Sequence, residues 1–140
     1  MRSAMSMSSA HSPIVIDASA LVQLLLRTSG GERAERAIGA SPLVAPDVVN
    51  AEVAQALRGL ERGGKLTGAR ASQALARLVE SAVTCMPTRA LLREAWALRA
   101  NLSLYDACYV ALARELDCSL MTSDGPLTRA PRLGVTLIQI

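Results

Sequence analysis

Histidine is nearly absent from this sequence: His11 is the single one in 140 residues, and it lies in a Ser- and Met-rich N-terminal stretch without apolar periodicity. A core imidazole is thereby excluded, and with it a histidine-based ribonuclease, a Ser-His triad, a Cys-His pair and the usual zinc catalytic sites. Phenylalanine is missing altogether, so that Trp96, Tyr105 and Tyr109 are the whole aromatic complement. All three lie in or near apolar helical stretches and do not make a stacking platform for single strands; a nucleic acid is expected to be held mainly by its backbone. Cys85, Cys108 and Cys118 are too few and too scattered for a disulfide framework or a zinc knuckle, which fits a reducing cytoplasm. Long apolar runs are lacking too. The stretch from Ile14 to Leu26 is interrupted by Asp17 and Gln23, too short to span a bilayer and too polar for a signal peptide, so no membrane association is expected.

What is present is a core of Ala, Leu and Val: 51% of the residues are apolar and 19% charged, a globular composition. The length suits one domain, large enough to bury about two-thirds of its unfolded surface. Residues 1–12 are expected to be disordered, with Met5 and Met7 as candidate starts, and residues 13–140 to form the domain. Fifteen basic residues against twelve acidic give a net charge of +3 and favour a polyanionic partner by long-range attraction. All the basic residues but Lys65 are Arg, the better fork for phosphate.

Ile14-Val15-Ile16 is a continuous apolar run, rich in β-branched residues, and predicts a strand buried on both faces of a parallel sheet. Leu43 to Ala45, Ala82 to Met86, Leu120-Met121 and Val135 to Ile138 are further strand candidates. Helical patterns alternate with them: Ala20 to Leu26, a helix from Pro46 to about Gly63, and others over Gly68 to Glu80, Thr88 to Ala100 and Ser103 to Leu116. The last is apolar nearly all round and must be deeply buried. The helix after Pro46 is expected to turn Val49, Val53, Ala56, Leu57 and Leu60 inward. Such alternation predicts an α/β fold, a three-layer α/β/α sandwich about a parallel sheet of about five strands. Gly59 to Leu66 nearly spells a phosphate-binding loop. Leu66, however, stands where Ser or Thr must hold magnesium, so the stretch is read as an interhelical turn.

Four acidic residues stand out. Each alone has a structural explanation: Asp17 as an N-cap, Asp106 in a capping box with Ser103, Asp124 as a turn former before Gly125-Pro126, and Glu52 as a solvated helix residue paired with Arg58. Their joint placement says more. Asp17 and Asp124 each follow a predicted strand at its C-terminal end, where open α/β sheets build their sites, and Asp106 and Glu52 lie in or near the first turns of neighbouring helices. A cluster of like charges in a crevice is costly without a cation, and ligands that are all oxygen suit Mg²⁺, or Mn²⁺ in its place. The rival folds fit less well, because Ser19 stands where a haloacid dehalogenase phosphatase needs its second Asp, and Lys65 is misplaced for a receiver domain.

The segments Ile-Val-Ile-Asp17-Ala-Ser19-Ala-Leu-Val, Pro-Asp-Val-Val-Asn-Ala-Glu52-Val, Leu-Ser-Leu-Tyr-Asp106-Ala-Cys-Tyr-Val-Ala-Leu-Ala and Leu-Met-Thr122-Ser-Asp124-Gly-Pro-Leu together resemble the PIN domains. Within them the resemblance is to the VapC-type toxins of VapBC toxin-antitoxin modules, and it runs over residues 14–140. It implies a metal site made by Asp17, Glu52, Asp106 and Asp124, with Ser19 and Thr122 as supporting hydroxyls. It also implies an endoribonuclease that cleaves RNA and arrests translation, is held by a cognate VapB-type antitoxin, and forms a homodimer. No acidic residue follows Asp124, where some members of the family carry a further acid. The alternative is a PIN-like binding module without catalysis.

Overall fold

A computed structural model describes residues 11–123, 125–130 and 133–140; residues 1–10, Asp124 and residues 131–132 lie outside it. The N-terminal stretch expected to be disordered therefore falls largely outside the described residues, and so does Asp124.

Five parallel strands form one sheet in the order β3-β2-β1-β4-β5. They are β1 (Ile14–Ile16), β2 (Leu43–Pro46), β3 (Thr84–Met86), β4 (Ser119–Thr122) and β5 (Leu137–Gln139). The β-branched run of β1 is buried throughout and occupies the middle of the sheet, where both faces are covered. The seven α-helices among the described residues are α1 (Ala18–Leu26), α2 (Ser29–Ile38), α3 (Val49–Arg62), α4 (Gly68–Val79), α5 (Leu92–Ala97), α6 (Leu104–Leu116) and α7 (Gly125–Arg129). Helix α6 packs across β1, β2 and β4, while α1 packs with α2, α3 and α4. In α6 the residues Ala107 to Ala113 are all buried, as an all-round apolar helix requires. No helix is long and apolar enough to cross a membrane among the described residues.

Several expectations need correction. Helix α2 has no counterpart in the sequence reading, because Gly30 and Gly31 in its first turn look like a loop. Thr28 nevertheless caps it, its hydroxyl accepting from the Gly31 N–H at 3.0 Å. The helix expected over Thr88 to Ala100 is divided into a 3₁₀ turn (Thr88–Leu91) and α5. Its beginning is tied elsewhere, since the Thr88 N–H and hydroxyl both donate to Asp47 Oδ1, at 3.0 and 2.5 Å. Its end is closed by Arg99, which donates to the Trp96 carbonyl at 2.9 Å. Gly125-Pro126 opens the short α7 instead of a plain turn, because proline's fixed φ suits the first turn of a helix. In α3, Val49, Val53 and Leu57 face the core, but Ala56 is on the surface. The interhelical turn is confined to the residues after Arg62, with Gly64 at φ +72.

Candidate active site

The strand order reverses between β1 and β4, which are paired with Ile14 opposite Ser119, Val15 opposite Leu120 and Ile16 opposite Met121. Extending that register by one residue sets Asp17 opposite Thr122 at the C-terminal ends of the two strands. This is the switch point where an open parallel sheet leaves a crevice.

Asp17 is only 3% exposed. It is the N-cap of α1, with extended backbone, and its Oδ1 accepts from the Ala20 N–H at 2.9 Å and from the Ser19 hydroxyl at 2.7 Å. Its Oδ2 accepts from the Thr122 hydroxyl at 2.5 Å. Ser19 in turn accepts from the Ser123 N–H at 3.0 Å and lies 3.3 Å from the Thr122 hydroxyl. The capping and supporting roles of these residues therefore coexist: one oxygen caps the helix, and two hydroxyls fix the orientation of the carboxylate.

Glu52, in the first turn of α3, forms no ion pair with an arginine among the described residues. Its Oε1 accepts from the Tyr109 hydroxyl at 2.5 Å. Tyr109 is among the largest fully buried side chains and lies on α6, three residues after Asp106 and so on the same side of the helix. Sequence reasoning did not single it out, although a tyrosine in a helix buried all round must find a partner for its hydroxyl. Asp106 lies in the first turn of α6, where its N–H donates to the Ser103 hydroxyl at 3.1 Å.

Burial raises the Glu52 carboxyl above its ordinary range; the charges of Asp106 and Asp17 add to this, and the Tyr109 hydrogen bond opposes it. Burial, the bond to Glu52 and the nearby carboxylates likewise push the Tyr109 phenol far up, so it is a donor at any working pH. Asp17, Glu52 and Asp106 thus share one field. Among the described residues, however, no three His, Cys, Asp or Glu side chains gather closely enough to hold a metal ion. The carboxylates of Asp17, Glu52 and Asp106 are oxygen donors and mutually repulsive, a chemistry that fits a hard divalent cation. Mg²⁺ in particular takes one or two direct carboxylates and fills its octahedron with water.

The raised Glu52 has a consequence for stability in the absence of metal. A folded carboxyl that keeps its proton to higher pH than the unfolded one contributes fully below the ordinary value of 4.5, and that contribution is lost as pH rises through the folded value. Glu52→Gln keeps an acceptor for Tyr109 and removes the charge. It is expected to melt higher than the parent at neutral pH in EDTA, with the gap closing near about pH 4. Melting curves across that range check it, and a variant that melts lower at neutral pH would show Glu52 to be unstrained.

The chain matches the PIN domain family over residues 14–133. It is 42% identical to Ribonuclease VapC9 of Mycobacterium tuberculosis over 111 residues, 79% of this chain and 85% of that protein. Among solved structures, VapC20 of Mycobacterium tuberculosis, described as a sarcin-ricin loop cleaving toxin, superposes with a TM-score of 0.61 at 21% identity, covering 82% of this chain and 92% of that one. VapBC2 of Rickettsia felis, bound to a DNA fragment from its promoter, gives a TM-score of 0.64 at 12% identity over 91% of this chain and 98% of that one. At those identities the two structures speak to the fold alone.

Proposed function

We propose, from the premise that this chain belongs to the PIN-domain family and to its VapC ribonucleases, that it is a metal-dependent endoribonuclease and the toxin of a type II toxin-antitoxin module. What supports the catalytic part is the placement of Asp17 at the switch point of the sheet, with Glu52 bonded to Tyr109 one helical turn from Asp106. The substrate is RNA, whose hydrolysis inhibits translation, and the natural inhibitor is a VapB-type antitoxin, the partner that kinship with the VapC ribonucleases implies. Pairing with a second copy of the chain belongs to the same reading.

Asp17 and Asp106 are the principal ligands of Mg²⁺ or Mn²⁺ in this reading, with Glu52 and Asp124 binding directly or through water. Bound there, the ion would lower the pKa of an attacking water and stabilise charge developing on the scissile phosphate. The chain's own residues prepare for this. Ser19 and Thr122 hold the Asp17 carboxylate in one orientation, so little is left to reorganise during reaction. Tyr109 donates to Glu52 and so fixes the orientation of its carboxylate. The products would carry a 5'-phosphate and a 3'-hydroxyl. Of the arginines, Arg70 and Arg77 donate to the Leu26 and Leu25 carbonyls at the end of α1, and Arg114 to the Leu133 carbonyl. Each thereby ties a carbonyl of the fold in place.

Incubating the purified protein with RNA should give cleavage with Mg²⁺ or Mn²⁺ and none in EDTA. Undiminished cleavage in EDTA would overturn the metal requirement, and no cleavage under any condition would favour a PIN-like binding module. A second measurement needs no substrate. Mg²⁺ at about 100 times its dissociation constant should stabilise the fold by about 2.7 kcal/mol, several degrees in melting temperature for a domain of this size. Asp106→Asn should gain clearly less. In EDTA the variant should melt no lower than the parent, because relief of repulsion with Glu52 offsets the loss of about 0.3–1 kcal/mol from an acid at a helix N-terminus. An equal Mg²⁺ shift in both proteins would remove Asp106 from the metal site.

A further inference from the structure

Beside the carboxylates lies a cleft of about 590 Å³ lined by Val48, Ala51, Glu52, Gln55, Ala56 and Tyr105. Glu52 belongs to both the cleft and the acidic site, and Tyr105 immediately precedes Asp106, so a strand held at the carboxylates passes this opening. The wall from α3 is low and apolar, made largely by Ala51 and Ala56. Opposite stands the Tyr105 side chain at the start of α6, 57% exposed, although most of that helix is buried. Among the described residues no cation lines the cleft, and the Glu52 carboxylate at its edge repels phosphate. An anionic occupant is therefore disfavoured, and a flat uncharged ring suits the exposed Tyr105 face, with one polar edge for the Gln55 amide, which offers both donors and an acceptor.

We propose that this cleft is a base subsite, in which one unpaired nucleobase next to the scissile phosphate stacks on Tyr105 and meets Gln55 with its edge. The proposal rests on the ribonuclease reading and adds to it the residues, Tyr105 and Gln55, that would hold the base beside the cleaved bond. Within a duplex the base is stacked and paired, and it would have to be extracted to enter. The scarcity of aromatics excludes a platform for several bases, but a single exposed tyrosine beside the site is enough for one.

The test uses a short unpaired RNA oligomer of mixed sequence and versions of it with an abasic nucleotide at each position in turn. Binding is read by fluorescence anisotropy in EDTA, and cleavage by kcat and KM with Mg²⁺. Tyr105→Ala should weaken binding and raise KM about tenfold, the range of one lost base–aromatic stack, while kcat holds. Tyr105→Phe, which keeps the ring, should behave as the parent. One abasic position should cost the parent the same factor and cost Tyr105→Ala nothing more. Parent-like binding by Tyr105→Ala, or an abasic penalty that is equal in both proteins, overturns the subsite. Cleavage without dependence on Tyr105 would leave the nuclease reading intact and refute the subsite. Tyr105-dependent binding without cleavage under any metal would do the reverse, and neither binding nor cleavage would overturn both.

Discussion

Asp17→Asn is expected to lower RNA cleavage by at least ~10²-fold while leaving the fold in place, because a positioned metal supplies several kcal/mol of transition-state stabilisation. Loss of charge and loss of structure separate well at this position. Asparagine caps a helix about as well as aspartate, so the bond from the Ala20 N–H survives. The new amide nitrogen would face the Thr122 hydroxyl, which rotates to accept rather than donate. The melting temperature without metal should therefore stay near that of the parent. Thr122→Val, nearly isosteric, deletes one of the two hydroxyls that orient the carboxylate and should cost about 10- to 100-fold, the range typical of groups supporting a metal ligand. Single-turnover cleavage rates beside melting curves check the series. Near-parental cleavage by Asp17→Asn would take this residue out of the reaction.

The legibility of this arrangement in the sequence was uneven, and the reasons are physical. The central strand could be read from Ile14-Val15-Ile16 because a strand covered on both faces has no polar positions to alternate with. The buried α6 was equally plain. Helix α2 was hidden because its stability comes from one cap and from contact with α1, not from an apolar stripe: Gly30, Gly31 and Ala34 are its only buried residues. The expected single helix over Thr88 to Ala100 failed because Asp47, forty-one residues earlier, takes both donors of Thr88. No local pattern carries a contact of that range.

At the site, strand ends and helix starts in the sequence point to one region for Asp17, Glu52, Asp106 and Asp124, of which Asp124 lies outside the described residues. The same logic did not supply their hydrogen-bond partners. Ser19 is two residues from Asp17 and could be suspected locally, whereas the bond from Thr122 depends on the β1–β4 register, and that from Tyr109 to Glu52 spans two helices. Tyr105 was legible only as an apolar-stretch aromatic. Its exposure depends on where α6 emerges from the core, a property of packing and not of composition.

Gly31→Ala is expected to destabilise the protein by about 1–3 kcal/mol or more, the range for overpacking a filled interior. Gly31 is buried where α2 crosses the end of α1. A Cβ there would lie 2.2 Å from the Gln23 carbonyl oxygen, 2.8 Å from its carbon and 3.1 Å from Leu24 Cα. All three are backbone atoms, and the last turn of α1 has little freedom to retreat. Arg70 and Arg77 hold its Leu26 and Leu25 carbonyls, at 3.2 and 2.8 Å, and its first turn is anchored through Asp17. At about 2–4 °C per kcal/mol for a domain of this size, the melting temperature should fall by roughly 2–12 °C. Two neighbouring cases set the sign. Gly30→Ala would meet the Gln23 side-chain oxygen at 3.0 Å, a flexible end that can swing away, and should change little. Gly59→Ala, in α3 with nothing within 4 Å of the new atom, should gain about 0.5–1 kcal/mol from helix propensity. Below its own melting transition Gly31→Ala should still cleave RNA, since the substitution strains the far end of α1 and leaves the hydrogen bonds of Asp17 in place. A Gly31→Ala protein that melts with the parent would mean that α2 does not cross α1 at this glycine. One that stays folded but loses cleavage would mean that strain at this contact reaches the carboxylate through the nine residues of α1.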